Sequence, residues 1–153
     1  MNVEVHFHNI ENVICSTIDS SRADKILICT GWISSRKILE KASTIDAMLI
    51  TNACGRLTKG CSDYDPTFTR YLLDCIPHTY VYSNNTELMH HKTIVLFQSD
   101  IPFAVITGSF NFTLSASKNH ENICIIRDRN VAQQFVDEFC RLLKHPCVKK
   151  LVR

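Results

Sequence analysis

The feature that most constrains this fold is a series of short apolar runs of strand length that alternate with stretches of helical periodicity. Lys25–Thr30 is a continuous apolar run of this kind, and the segment that ends before Pro146 carries one apolar stripe at helical spacing. The predicted elements, in chain order, are strand Val3–Phe7, helix Ile10–Ile18, strand Lys25–Thr30, a helix from Ser34 or Ser35 to about Ala42, strand Asp46–Thr51, a helix near Pro66–Cys75, strands Tyr80–Tyr82, Met89–Phe97, Phe103–Gly108 and Asn122–Ile126, and a final helix capped by Asn130.

Several strands with helices in the crossovers predict a sheet that is covered on both faces. The strands Met89–Phe97 and Phe103–Gly108 are joined by the turn-forming segment Gln98–Pro102. We therefore expect an α/β fold with a mixed β-sheet sandwiched between helices on both faces. The length of 153 residues suits one domain, spanning residues 1–153.

The composition favours an intracellular chain without a membrane anchor. Eight cysteines would suggest disulfides in a secreted protein, but the start lacks the basic and apolar regions of a secretion signal. We therefore expect reduced thiols and a cytoplasmic location. No apolar run approaches the roughly 20 residues of a membrane helix, so no stable membrane association is expected. The net charge of +2 is too small to indicate a nucleic-acid partner by itself.

Two histidines and a lysine interrupt an apolar strand, where polar side chains are costly to bury without partners. Because strand side chains alternate between the two faces, His90 and Lys92 project together and His91 points the other way. A histidine beside a fixed cation suits an anion such as phosphate. This segment therefore predicts an anion site.

Further polar groups follow on the next predicted strands. Ser109 and Asn111 share a face and offer neutral hydrogen-bond donors, and Gly108 would let the backbone approach a ligand closely. Glu121 begins a third strand, and a carboxylate hydrogen-bonded to an imidazole fixes the imidazole's tautomer.

The HxK of His90–Lys92, the GSxN of Gly108–Asn111 and the glutamate of Lys118–Asn122 resemble the HKD signature of the phospholipase D superfamily. The resemblance is closest to short bacterial endonucleases that carry one such motif, with a similar GSFNFT and a similar KNxEN. It also includes the segment Gly31–Ser34 and runs nearly end to end.

This resemblance implies a phosphodiesterase that cleaves nucleic acid, DNA or RNA, and needs no cofactor or metal ion. His90 would attack phosphorus to form a phosphohistidine, and Glu121 would orient a histidine. The phosphoryl oxygens would be held by Lys92, Ser109 and Asn111. The candidates for substrate contact are Gly108, Trp32 and Thr113, although Trp32 could equally pack in the core.

An in-line displacement also needs an acid opposite the nucleophile, and this chain contains one HxK. His91 faces away from His90. We therefore expect a twofold-symmetric homodimer in which His90 of each subunit meets across the axis, one as nucleophile and one as acid.

One residue departs from the family pattern, because the aspartate expected seven residues after the histidine falls on Phe97, with Asp100 three residues further along. By strand parity, position 97 lies opposite the His90 face. Two other functions remain open: a phospholipid or cardiolipin hydrolase with the same chemistry, and a dimeric nucleic-acid-binding module with weakened catalysis, for which Phe97 is the hint.

The cysteines raise a separate alternative. Cys54, Cys61, Cys75 and His78 form a C-x6-C-x13-C-x2-H series that could bind zinc. The spacing is loose and includes no CxxC pair, so buried or loop thiols are the favoured interpretation.

Overall fold

The computed structural model describes all 153 residues and contains eight strands and four α-helices. The strands are β1 (Asn2–His6), β2 (Lys25–Thr30), β3 (Asp46–Asn52), β4 (His78–Tyr82), β5 (Lys92–Gln98), β6 (Ile101–Gly108), β7 (Ile123–Arg127) and β8 (Val148–Lys150). The helices are α1 (Ile10–Ser21), α2 (Arg36–Ala42), α3 (Pro66–Cys75) and α4 (Arg129–Leu143). Single 3-10 turns lie at Gly55–Leu57 and Ala116–Lys118.

The eight strands form one mixed sheet in the order β1-β7-β6-β5-β2-β3-β4-β8. β2, β3 and β4 run parallel, because α2 and α3 carry the chain back between them, whereas all other neighbours are antiparallel. Helices α1, α2 and α3 pack on one face, and α4 packs on the other. The predicted α/β class, with a mixed sheet between helices, is confirmed.

The central position of β5 in the sheet explains why its sequence is continuously apolar. Ile94 and Leu96 pack into a cluster of 27 buried residues under α1, α2 and α3. Val95 and Phe97 pack into a cluster of 11 buried residues under α4. A strand that is buried on both faces needs apolar residues at every position.

The structure corrects where this strand begins. β5 begins at Lys92 rather than at Met89, so His90 and His91 lie in the segment that leads into the strand. The ladder stops there because β2 ends at Thr30, which pairs with Lys92. An imidazole outside the ladder is more easily exposed than one inside a central strand.

Other predicted elements also differ from the structure. The turn before β6 is limited to Ser99 and Asp100, which both have positive φ, and Pro102 lies within β6 beside a shift of register. Asp128, rather than Asn130, caps α4, because its carboxylate accepts hydrogen bonds from the first backbone N–H groups of the helix. The short edge strand β8 was not predicted.

Candidate active site

The candidate site lies along the edge of the sheet that is formed by strand ends, and not at an outer strand. β2, β3 and β6 end there, and β5 and β7 begin there. The strand ends meet there because Thr30 pairs with Lys92 and Gly108 pairs with Ile123. The chain segments that leave this edge carry the predicted site residues, which are Trp32, His90, Lys92, Gly108, Ser109, Asn111, Thr113 and Glu121.

His90 and Lys92 lie together, as their shared strand face predicts. The Nζ atom of Lys92 is 3.2 Å from Nδ1 of His90 and donates a hydrogen bond of 2.8 Å to the carbonyl oxygen of His90. His90 is exposed, whereas Lys92 is only 8% exposed. The site therefore combines a reachable imidazole with a fixed, largely buried cation.

Burial lowers the pKa of the Lys92 ammonium from its ordinary value, and the negative charge of Glu121 acts in the opposite direction. A single carboxylate thus helps to keep this buried lysine protonated. Glu121 is close enough to the cation to influence its charge state even though its own hydrogen bond goes elsewhere.

Trp32, Asn111 and His90 surround Gly31. The Trp32 ring is edge-on to the His90 ring, with 5.7 Å between centroids. A Cβ atom added to Gly31 would lie 3.5 Å from Oδ1 of Asn111 and 3.6 Å from Cδ2 of His90. Oδ1 of Asn111 is buried and has no hydrogen-bond partner. The sequence analysis did not decide whether Trp32 contacts substrate or packs in the core. In the structure its side chain is half-exposed and lies against the His90 imidazole.

Ser109 and Glu121 form a second part of the site. The hydroxyl of Ser109 donates to the Glu121 carboxylate and accepts a hydrogen bond of 3.0 Å from the backbone N–H of Asn122. Glu121 was predicted to orient a histidine, but within one chain its hydrogen bond is to Ser109. The carboxylate therefore fixes the serine hydroxyl, and its charge also acts on Lys92.

The structure assigns Gly108 and Thr113 to shaping the backbone. A Cβ atom on Gly108 would lie 2.1 Å from the carbonyl oxygen of Asn122, so the glycine permits close approach of the backbone that leads into β7. Its predicted contact with a ligand stays a prediction. The Thr113 hydroxyl accepts from the N–H of Ala116 at 3.2 Å, which begins the 3-10 turn after the GSFNFT segment.

Asn52, at the end of β3, was missed by the sequence analysis. Its side chain donates to the carbonyl oxygen of Met89 at 3.0 Å and accepts from the N–H of Met89 at 3.2 Å. Asn52 is 5% exposed, so both hydrogen bonds are buried. This side chain replaces the missing strand partner of Met89 and fixes the residue before His90. An asparagine that ends a buried strand was the available signal.

Asn52→Ala is expected to lower the free energy of unfolding by about 2 kcal/mol, because it leaves a buried N–H and a buried carbonyl of Met89 without partners. Urea unfolding followed by circular dichroism measures this change. Asn85→Ala is the matched control, since Asn85 is exposed and makes no side-chain hydrogen bond. Equal unfolding midpoints for the two variants would contradict the role of Asn52.

The His91 imidazole contacts α4 and the His90 imidazole lies beside Lys92, so the two side chains have different partners, in agreement with the predicted alternation. Its Nε2 lies 3.0 Å from a Glu138 oxygen on α4, and the same carboxylate holds Arg141 in a two-point ion pair. These partners, Arg141 first, lower the pKa of Glu138 to about 2. The imidazole of His91 is therefore used to attach the His90 segment to α4.

Phe97 and Asp100 lie at the opposite end of β5 from Lys92. Phe97 is 5% exposed in the core under α4, and the Asp100 carboxylate is 3.3 Å from Nζ of Lys25. Neither position borders His90. Having phenylalanine instead of aspartate at position 97 therefore affects the core and not the residues of the candidate site.

The cysteine series does not form a metal site. The structure brings no three His, Cys, Asp or Glu side chains together in a way that could hold a metal ion. Cys61 is exposed in a loop, whereas Cys75 is buried at the end of α3.

None of the four α-helices has both the length and the apolar character required to cross a bilayer.

Residues 14–143 match the model of a protein family described as cardiolipin synthase, phospholipase D-like domain. The chain belongs to this phospholipase D-like family. This confirms the family that the HxK, GSxN and glutamate motifs predicted, and it covers the whole candidate site.

Two solved structures have the same fold as this phospholipase D-like chain. Nuc, a phospholipase D family member from Salmonella typhimurium, is 24% identical with a TM-score of 0.72, and the match covers 92% of each chain. NucT from Helicobacter pylori is 18% identical with a TM-score of 0.69, covering 94% of this chain and 96% of NucT.

The curated relatives are longer proteins. A protein named phospholipase D from Rickettsia prowazekii (strain Madrid E) is 42% identical over 53 residues, which is 34% of this chain and 24% of that protein. The matched segment thus spans about a quarter of the length of the relative.

Proposed function

We propose that this phospholipase D-like chain is a phosphodiesterase that cleaves DNA or RNA through a phosphohistidine on His90, without a metal ion. The observation that carries the proposal is the pairing of an exposed imidazole with the buried ammonium of Lys92. The imidazole can reach a phosphorus atom, and the cation and the neutral donor of Asn111 can stabilise charge on the phosphoryl oxygens. Positioning and electrostatics supply the rest of the chemistry.

The proposed reaction has two displacements at phosphorus. In the first, a nitrogen of His90 forms a bond to phosphorus while the bond to the leaving oxygen breaks, and an acid gives that oxygen a proton. In the second, water attacks the phosphohistidine, the phosphorus–nitrogen bond breaks, and the same group, now a base, accepts the proton from water. His90 is regenerated.

We assign the acid to His90 of a second copy, which makes the active unit a homodimer. Each chain carries one HxK, and a twofold axis beside the site would bring two such imidazoles to one phosphate. Two large apolar side chains flank the site segments and support a contact there: Leu88 and Leu114 are each 64% exposed. Glu121 makes no bond to an imidazole within its own chain, so a histidine partner for it would also come from the second copy.

We favour nucleic acid over lipid because the motifs match those of the short endonucleases that the sequence resembles, and because the fold matches Nuc and NucT. The lipid alternative is supported by the family description and by the name of the Rickettsia relative. The chemistry at phosphorus would be the same for both substrates.

The deciding experiment compares substrates for the purified protein in EDTA. Labelled single- and double-stranded DNA and RNA are incubated beside vesicles that contain cardiolipin, and sedimentation measures the mass. We expect EDTA-resistant cleavage of nucleic acid by a species of twice the 17.5 kDa chain mass. Lipid turnover with intact nucleic acid would replace the nuclease assignment, and tight binding without any turnover would establish a binding module. A monomer that cleaves at full rate would refute the shared site.

The pH dependence of cleavage is expected to reflect Lys92. Burial lowers the pKa of Lys92, so this side chain should lose its proton at a lower pH than an ordinary lysine. As the pH rises, activity should therefore fall at that lower pH. Glu121 raises this pKa, so Glu121→Gln should move the alkaline limb of the pH–rate profile to lower pH, and Lys92→Arg should move it to higher pH. Profiles with a chromogenic diester measure both shifts. An alkaline limb unchanged in both variants would contradict protonated Lys92 as the required form.

A further inference from the structure

The largest of the five main depressions lies beside the candidate site and has an unusual charge pattern. This depression, the β8 groove, has a volume of 460 Å³ and is lined by residues of the loop after β3, the end of β4 and the segment around β8. Its lining includes Lys59, Lys149 and Lys150 and no aspartate or glutamate. Each of the other four depressions contains a carboxylate, from Glu11, Glu138, Glu87 and Asp65.

The three lysines of the β8 groove are exposed and have no ion-pair partner. The lysine ion pairs of this protein involve Lys25, Lys37 and Lys41 instead. Unpaired ammonium groups around a concavity without carboxylates create a local positive potential, even though the chain as a whole carries only +2. Charge complementarity therefore indicates a polyanion as the occupant.

The floor of the β8 groove is apolar and includes one aromatic ring. Leu57, Val81 and Leu151 line it together with the half-exposed Tyr64. A positive groove with an aromatic surface suits single-stranded nucleic acid, whose phosphates pair with lysines and whose bases stack on rings. A bilayer surface, in contrast, contacts protruding residues, whereas these side chains line a concavity.

The β8 groove begins next to the residue that positions the His90 segment. Ala53 lines the groove and directly follows Asn52, whose side chain holds Met89. The N–H of Ala53 donates to the carbonyl of Tyr82 at 2.8 Å, so β3 and β4 open the groove at the same sheet edge as the candidate site. A strand bound at His90 can therefore continue into the groove.

We infer that the β8 groove binds the single-stranded flank of a nucleic-acid substrate whose scissile phosphate is at His90. This inference rests on the proposed function and adds a substrate-tracking surface to it. Lys59, Lys149 and Lys150 each pair with a phosphate of the bound strand, with Lys149 and Lys150 projecting from opposite faces of the edge strand β8. Tyr64 offers a stacking surface for a base. Binding should thus depend on strand length and on salt concentration.

The test measures binding of labelled single-stranded DNA to the 153-residue chain that carries His90→Ala, so that the strand is not cut. Adding Lys59→Gln, Lys149→Gln and Lys150→Gln is expected to weaken binding of a long strand about 10-fold or more and to reduce the salt slope by about 2, since each phosphate contact contributes about 0.7. Binding of a dinucleotide, which spans only the His90 site, should not change. The charge-matched control is Lys37→Gln, Lys41→Gln and Lys144→Gln, which should retain affinity and slope.

An unchanged affinity and salt slope for the groove variant would overturn the inference, as would equal losses for the long strand and the dinucleotide. A second measurement uses protein in which the three lysines are unchanged. Bound single-stranded DNA should slow the acylation of Lys59, Lys149 and Lys150 relative to the protein without DNA. Loss of binding to anionic phosphatidylglycerol vesicles with unchanged strand binding would assign the groove to a lipid surface instead. Hydrolysis of bis(4-nitrophenyl) phosphate by wild type tests the proposed function separately, so the two failures are distinguishable.

Discussion

His90→Ala is expected to reduce the rate of phosphodiester cleavage by about 10⁴-fold or more, because in the proposed mechanism His90 of one subunit is the nucleophile and His90 of the other is the acid. Nucleic-acid binding should be largely retained, since Lys92, Ser109 and Asn111 remain. Cleavage of labelled DNA in EDTA measures the rate, and a binding assay on the same sample measures affinity. Cleavage within a few-fold of wild type would remove His90 from the mechanism.

His91→Ala is the matched control for this variant. The two histidines are adjacent in sequence, but His91 is held by Glu138 on α4 and does not face the site. Its replacement should leave cleavage within a few-fold of the wild-type rate. Equal losses in the two variants would indicate that the segment, and not the His90 imidazole, is what matters.

Mixed dimers test whether the two histidines act together. When equal amounts of wild-type and His90→Ala chains are unfolded and refolded together, only about one quarter of the dimers carry two His90 side chains. If both are required, activity should fall to that fraction of an all-wild-type sample. Activity of about one half would indicate that each subunit works alone.

Gly108→Ala is expected to lower the free energy of unfolding by about 3 kcal/mol, the largest stability effect predicted for a single methyl group in this protein. The new Cβ would lie 2.1 Å from the carbonyl oxygen of Asn122 and 2.8 Å from Cα of Ile123. Both obstructing atoms belong to the backbone that leads into β7, so β6 and β7 would have to separate. Urea unfolding measures the loss, and cleavage should fall with it because Ser109 and Glu121 lie on either side of this contact.

Gly31→Ala is the control for backbone crowding at the same edge of the sheet. The nearest atom to a Cβ at position 31 is 3.5 Å away, which is an ordinary van der Waals contact. Its unfolding midpoint should therefore remain close to wild type. A Gly108→Ala protein that is as stable as Gly31→Ala would show that β7 can move away from β6 at little cost.

The sequence predicted the arrangement of strands and helices well where hydrophobic periodicity decides the structure. β2, β3 and β5 are buried on both faces, and their continuous apolar runs leave little choice of element. The edge strand β8 was missed because only three residues pair with β4 and two of them are exposed lysines. Its pairing is decided by a neighbour that is distant in sequence, which a local pattern does not contain.

The composition of the candidate site was predictable, but its hydrogen bonds were not. The alternation of side chains predicted His90 beside Lys92 and different partners for His91, and both hold although β5 begins only at Lys92. The role of Asn52 and the bond between Ser109 and Glu121 depend on loops that meet only in the folded chain. The close contact between Gly108 and the backbone that leads into β7 likewise depends on the folded chain.

The stereochemistry at phosphorus tests the central claim most directly. A chiral phosphorothioate diester is hydrolysed in oxygen-18 water, and the configuration of the product is determined. Two successive in-line displacements, first by His90 and then by water, predict net retention of configuration. Net inversion would mean that water attacks phosphorus directly, and it would contradict a phosphohistidine on His90.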